Sequence, residues 1–195
     1  DVQVSGNGEL DRKTGSFDSL IFTKVLFGND DLAHLEYRKI AGGVMVTANG
    51  NVLDVSSYVN GNGSSNLGFN LNIKAGKVVF GDKRTLTSAV IQTDCPTICK
   101  SANVTGTLPD NTPFTYSIHD GKLNASSDNA GELFRVIGIS DSIQGGKMQL
   151  SGIYHGDNLE GTLAMSDFTL KNAPLLTKIL TIASLTGVID TLTGK

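Results

Sequence analysis

The chain has 195 residues, with 16 Lys plus Arg against 19 Asp plus Glu, a formal net charge of −3. That balance offers a phosphate backbone no general positive field, which disfavours nucleic-acid binding. Charged residues make up only 18% and hydrophobic ones 39%, with 23 glycines, so the composition is that of a turn-rich β protein rather than a disordered tail or a helical membrane bundle.

In chain order, period-two alternation is the dominant signal. Residues 2–4, 20–26, 44–46 and 52–55 read as short strands, and the opening Asp1-Val2-Gln3-Val4 as alternation rather than a leader peptide. Leu67-Gly68-Phe69-Asn70-Leu71-Asn72-Ile73-Lys74 is the cleanest case, with four apolar side chains on one face and Gly, Asn, Asn and Lys on the other. Residues 78–80, 89–91, 104–108, 114–118, 148–150 and 159–165 continue the series. Gly6-Asn7-Gly8, Asn49-Gly50-Asn51, Asn60-Gly61-Asn62-Gly63, Gly81-Asp82, Asp120-Gly121 and Gly156-Asp157-Asn158 read as the tight turns between them. A Gly-Lys pair recurs at what look like strand starts, at 76–77, 121–122 and 146–147, with unequal intervals that exclude a strict repeat. The expected fold is mainly β: a curved antiparallel meander, forming a groove or half-barrel, in a single domain over residues 1–195.

Two segments depart from the β pattern. Asn129 is placed to cap a short helix, with Glu132 at the capping-box position and Gly138 as its stop. Further on, Asn172 and Pro174 open an amphipathic helix whose Leu175, Leu176, Ile179, Leu180 and Ala183 share one face. At about 13 residues it is too short to cross a bilayer. The sequence stops at Thr193-Gly194-Lys195 without a closing cap or polar tail, so both ends read as cut from a longer chain.

Catalytic patterns are sparse. His34, His119 and His155 are scattered, Asp18, Asp54, Asp141 and Asp167 have no spacing that forces carboxylates together, and no Gly-x-Ser-x-Gly elbow is present. Asn60-Gly61-Asn62-Gly63-Ser64-Ser65 lacks the Lys-Ser/Thr ending of a phosphate cradle. The expectation is therefore no enzyme and no cofactor. Cys95 and Cys99 can close a small disulfide loop or supply half a metal site. The disulfide is favoured and no metal is expected, because no His or further Cys lies near in sequence.

What the sequence has in excess is one-sided strands. Two modest helices cannot cover the dry faces of ten or more of them, so the sheet closes on itself or leaves an apolar trough. The residues expected to line such a trough are Leu67, Phe69, Leu71, Ile73, Phe114, Tyr116, Ile118, Met148, Leu150, Leu159, Leu163 and Met165.

From residue 129 to 195 the order and spacing of several motifs resemble the C-terminal region of the AsmA-like superfamily of bacterial envelope proteins. They are Ala130-Gly131-Glu132-Leu133-Phe134-Arg135-Val136-Ile137-Gly138-Ile139, Ile143-Gln144-Gly145-Gly146-Lys147-Met148, Leu159-Glu160-Gly161-Thr162-Leu163 with Asp167-Phe168-Thr169-Leu170, and Asn172-Ala173-Pro174-Leu175-Leu176-Thr177-Lys178-Ile179-Leu180 with Ala183-Ser184-Leu185-Thr186-Gly187. Val52-Leu53-Asp54-Val55-Ser56 resembles a further strand of that family. The resemblance implies a periplasmic part of an inner-membrane-anchored protein, with a long apolar β-groove that moves phospholipid between inner and outer membranes. Its partners would be phospholipid or fatty-acyl chains, and the membrane through the parent protein. The alternative is an envelope scaffold with a closed core that binds protein partners.

Overall fold

The computed structural model describes residues 2–59, 68–95, 99–156 and 158–171. Eleven strands follow one another: β1 (Gln3–Leu10), β2 (Phe17–Phe27), β3 (Asp30–Ile40), β4 (Gly43–Asp54), β5 (Gly68–Gly81), β6 (Arg84–Cys95), β7 (Ser101–Thr107), β8 (Pro113–His119), β9 (Lys122–Ser127), β10 (Ile143–His155) and β11 (Asn158–Leu170). Each pairs with the next, giving one open sheet in the order β1 to β11. A one-turn helix, α1 (Ser56–Val59), follows β4, and α2 (Ala130–Val136) lies between β9 and β10.

The meander is antiparallel throughout except at one place, where β4 and β5 run parallel with Val46 opposite Leu71 and Ala48 opposite Ile73. The thirteen residues between Asp54 and Gly68 are long enough to return the chain to the starting end of the sheet, which a two-residue hairpin cannot do.

Several local readings of the sequence are corrected. β3 was not marked by clean alternation, because a bulge near Leu32 breaks its period. Gly6-Asn7-Gly8 lies inside β1 and Asn49-Gly50-Asn51 inside β4 rather than in turns. A Cβ at Gly6 would stand 2.7 Å from the Phe22 ring, and one at Gly8 2.6 Å from the Leu20 side chain; these glycines make room for large neighbours on the next strand. The Gly-Lys pairs at 76–77 and 146–147 are likewise internal to β5 and β10, while Gly121-Lys122 does open a strand. The turns at Gly81-Asp82 and Asp120-Gly121 are where expected. The turn at 60–63 and the helix carrying Leu175, Leu176, Ile179, Leu180 and Ala183 lie outside the described residues.

α2 forms as its flanking residues dictate. Asn129 Oδ1 accepts from the Glu132 backbone N–H at 3.0 Å. Glu132 does not complete the capping box: its carboxylate takes the Arg135 guanidinium, and the Asn129 N–H goes to Ser127 Oγ. At the other end Gly138 has φ +77°, the Gly138 N–H bonds Arg135 O and the Ile139 N–H bonds Phe134 O. This pair of bonds is a Schellman termination, made at low cost because glycine accepts a positive φ. Arg135 Nη1 donates to Lys83 O at 2.7 Å, tying the helix to the β5–β6 turn.

α2 buries Ala130, Gly131, Leu133, Phe134 and Val136 against Ala75, Val78, Leu86, Ala89, Leu108, Ile143 and Met148. A seven-residue helix is about 10 Å long, yet it touches β6, β10 and β11. Along a flat sheet β6 and β10 would be about 19 Å apart at ~4.8 Å per strand. The sheet therefore curls around the helix, and α2 fills one end of the concave face.

Candidate functional site

The register converts separate strand patterns into continuous rows. Starting at β1, successive partners are Gly6, Phe22, Leu35, Ala48, Ile73, Ile91, Val104, Tyr116, Ala125, Leu150 and Leu163. One same-face step along, the row is Gly8, Leu20, Tyr37, Val46, Leu71, Thr93, Ala102, Ile118, Leu123, Gly152 and Gly161. Residues directly opposite one another share a face of the sheet. Both rows cross all eleven strands, and Thr93 and the Tyr37 and Tyr116 hydroxyls are their only polar side-chain groups.

The intervening positions are the reverse. Asn7, Ile21, Glu36, Thr47, Asn72, Gln92, Asn103, Ser117, Asn124, Ser151 and Thr162 form the matching row on the other face. Ile21 is the one apolar member. One face is thus built for water and the other against it.

Eleven of the twelve residues expected to line a trough fall on the apolar face: Phe69, Leu71, Ile73, Phe114, Tyr116, Ile118, Met148, Leu150, Leu159, Leu163 and Met165. Leu67 lies outside the described residues. They are not equally accessible. Ile73, Ile118 and Met148 are buried, while Phe69 is 37% exposed. Leu71, Phe114, Tyr116, Leu150, Leu159, Leu163 and Met165 are half-buried. Met148 is packed into the cluster that α2 closes. At the opposite end of the strands a second cluster gathers Ala102, Ile118 and Leu123 with Cys99, Tyr116, Leu150, Tyr154 and Leu159. Tyr116 and Leu150 belong to both clusters, so the apolar surface is continuous from the α2 end to the other.

Sequence reasoning missed Phe22, Leu35, Val46, Ile91 and Val104 as members of these rows. Their strands were recognisable for four of the five, but which face a short mixed run such as Val90-Ile91 presents depends on its partner.

Cys95 and Cys99 are joined in a disulfide at the end of the sheet away from α2, and Cys95 stands opposite Phe69. His119 lies 3.3 Å from Asp120, but both side chains are more than four-fifths exposed on the β8–β9 turn. His34 faces Glu36 at 3.8 Å. A shallow hollow of about 440 Å³ does exist on the polar face, between Thr115, Ser126, Gln149 and Ala164 on one side and Pro113, Asp128, Lys147 and Ser166 on the other. No helix among the described residues is long and apolar enough to cross a membrane.

No family model, curated protein or solved structure matches this chain.

Proposed function

We propose that the chain is a non-enzymatic module that conducts phospholipid, with acyl chains lying on the apolar rows of the concave face. The observation that carries this reading is the pair of apolar rows running across all eleven strands without a charged side chain. A hydrocarbon tail in water is disfavoured by about 0.8 kcal/mol per CH₂, so a sixteen-carbon tail faces an upper bound near ~12 kcal/mol. A half-exposed apolar face removes much of that cost and leaves the headgroup wet. Eleven strands span roughly 50 Å in the pairing direction, more than the length of one lipid. The resemblance of residues 129–195 to the AsmA-like region supports the same assignment, and with it a periplasmic location in an inner-membrane-anchored parent.

The test is direct. Gently purified protein is extracted and its lipids identified by mass spectrometry, and uptake of a fluorescent fatty acid is measured in parallel. Co-purifying phospholipid with saturable uptake is expected; absence of both overturns the reading.

A second reading, a scaffold whose sheet serves only as core and whose surface binds envelope proteins, draws on the burial of Ile73, Ile118 and Met148. It requires the rest of the stripe to be equally covered, against the exposure of Phe69.

A further inference from the structure

From β8 to β11 the paired positions on the concave face are Phe114, Tyr116 and Ile118; Leu123, Ala125 and Ser127; Met148, Leu150, Gly152 and Tyr154; Leu159, Gly161, Leu163 and Met165. None is charged. Ser127 Oγ is already committed, donating to Asn129 O and accepting from the Asn129 N–H. The hydroxyls of Tyr116 and Tyr154 are the remaining polar side-chain groups on this part of the face, and neither makes a hydrogen bond among the described residues. Both rings pack into the cluster with Leu123, Leu150 and Leu159, at the end of the face away from α2.

An unmatched hydroxyl in an apolar setting costs free energy unless it finds a partner. No side-chain oxygen or nitrogen among the described residues is both fully sealed from solvent and unpaired, so each of these hydroxyls keeps some contact with solvent and stays open to a partner. Burial pushes both phenols above their ordinary pKa, which keeps them protonated and able to donate well into the alkaline range.

Resting on the lipid-conducting reading, we infer that Tyr116 and Tyr154 select ester-linked lipids by donating hydrogen bonds to the ester carbonyl oxygens at the glycerol end of the acyl chains. The chemistry follows from what surrounds them. A carboxylate or phosphate brought onto this face would lose water without gaining a counter-ion there, because the paired positions on the face carry no cation. An ester carbonyl is a neutral acceptor that sits at the junction of tail and headgroup. The tyrosines therefore fix where a tail begins on the face, with hydrocarbon extending from them over Leu150, Leu163 and the neighbouring strands and the charged headgroup projecting beyond the sheet end into water. An ether oxygen is a poorer acceptor and lacks the carbonyl altogether, so the pair distinguishes diester from diether lipids of identical length.

The experiment uses the full chain and a nitrobenzoxadiazole-labelled phosphatidylcholine as the bound probe, displaced either by a diacyl phosphatidylcholine or by its di-O-alkyl analogue of the same chain length. With one hydrogen bond per hydroxyl, the diester is expected to displace the probe at a concentration about fivefold or more below the diether. In the double variant Tyr116→Phe with Tyr154→Phe, which keeps both rings in place, that ratio is expected to fall to near one. Circular dichroism establishes that the variant is folded. Probe binding with no diester preference in the native chain, or a preference unchanged in the double variant, overturns the tyrosine assignment and leaves lipid conduction standing. Failure of the folded native chain to bind the probe overturns both.

Discussion

Gly131 of α2 lies directly against the backbone of β10, where a Cβ would stand 2.6 Å from the Ile143 carbonyl oxygen. The helix comes this close only because position 131 carries no side chain. Gly131→Ala improves intrinsic helix propensity by up to about 1 kcal/mol, but it must lift α2 off the sheet and open the contacts of Leu133 and Phe134. Overpacking at such a site costs about 1–3 kcal/mol. The variant is expected to melt several degrees below the native chain in calorimetry; an equal or raised melting temperature would show that the contact is soft.

Phe69 and Val78 lie on the same strand in different surroundings: Phe69 is 37% exposed and Val78 is 0% exposed. Val78→Asp places a carboxylate without a partner in the core beside α2 and is expected to prevent folding. Phe69→Asp puts its charge at the water-facing end of the stripe, so the melting temperature should change little while fatty-acid uptake falls. If Phe69→Asp unfolds the chain as Val78→Asp does, the face is closed in solution and the scaffold reading gains.

Four carboxylates, Asp11, Asp31, Asp54 and Asp110, are held below their ordinary value and give the fold an acid limit, with Asp31 and Asp54 tying strands together. Asp31 is held below its ordinary value by hydrogen bonds from Lys24 and Asn51, and Asp54 by those from Asn29 and Ser56. A carboxylate whose folded pKa is depressed adds stability that is fully present above its unfolded value, about 3.8, and that is lost as pH falls through the lower folded value. Melting temperature should therefore hold from neutral pH to about 4 and decline below it. In Asp31→Asn with Asp54→Asn the neutral-pH value should be lower and the acid decline shallower. Both groups are half-buried at the surface and in contact with water, so each contribution is small.

The Cys95–Cys99 bridge closes a loop with a sequence separation of only 4. Constraint of so short a loop in the unfolded chain is worth about 2 kcal/mol. Unfolding by urea with and without reductant should differ by that amount, with the sheet intact in both. Loss of the fold on reduction would mean that the bridge organises the second apolar cluster rather than merely tightening it.

How much of this was legible in the sequence depended on how local each feature is. Leu71 and Ile73 announced their face because Asn70 and Asn72 alternate with them, and Asn129 announced α2 because a cap is a four-residue signal. β3 was hidden by its bulge, and Gly6 and Gly50 read as turns because the reason for each glycine is a neighbouring strand that sequence does not place. The parallel pairing of β4 with β5 was invisible for the same reason. The apolar rows are a property of ten registers taken together. Each strand contributes one or two residues, and only the pairing shows that Phe22 and Leu163 lie in one line.

That single parallel pairing also divides the way the chain can assemble. β1 to β4 and β5 to β11 are each a run of antiparallel neighbours, linked by short connections except where α2 lies between β9 and β10, and strands near in sequence pair quickly because little chain entropy is lost. The join between β4 and β5 has no hairpin to nucleate it and must wait for a crossover. Refolding should then show two early, locally nucleated units of four and seven strands and a later docking phase. Amides whose hydrogen bonds cross from β4 to β5 would gain protection from hydrogen exchange after those in the middle of either unit.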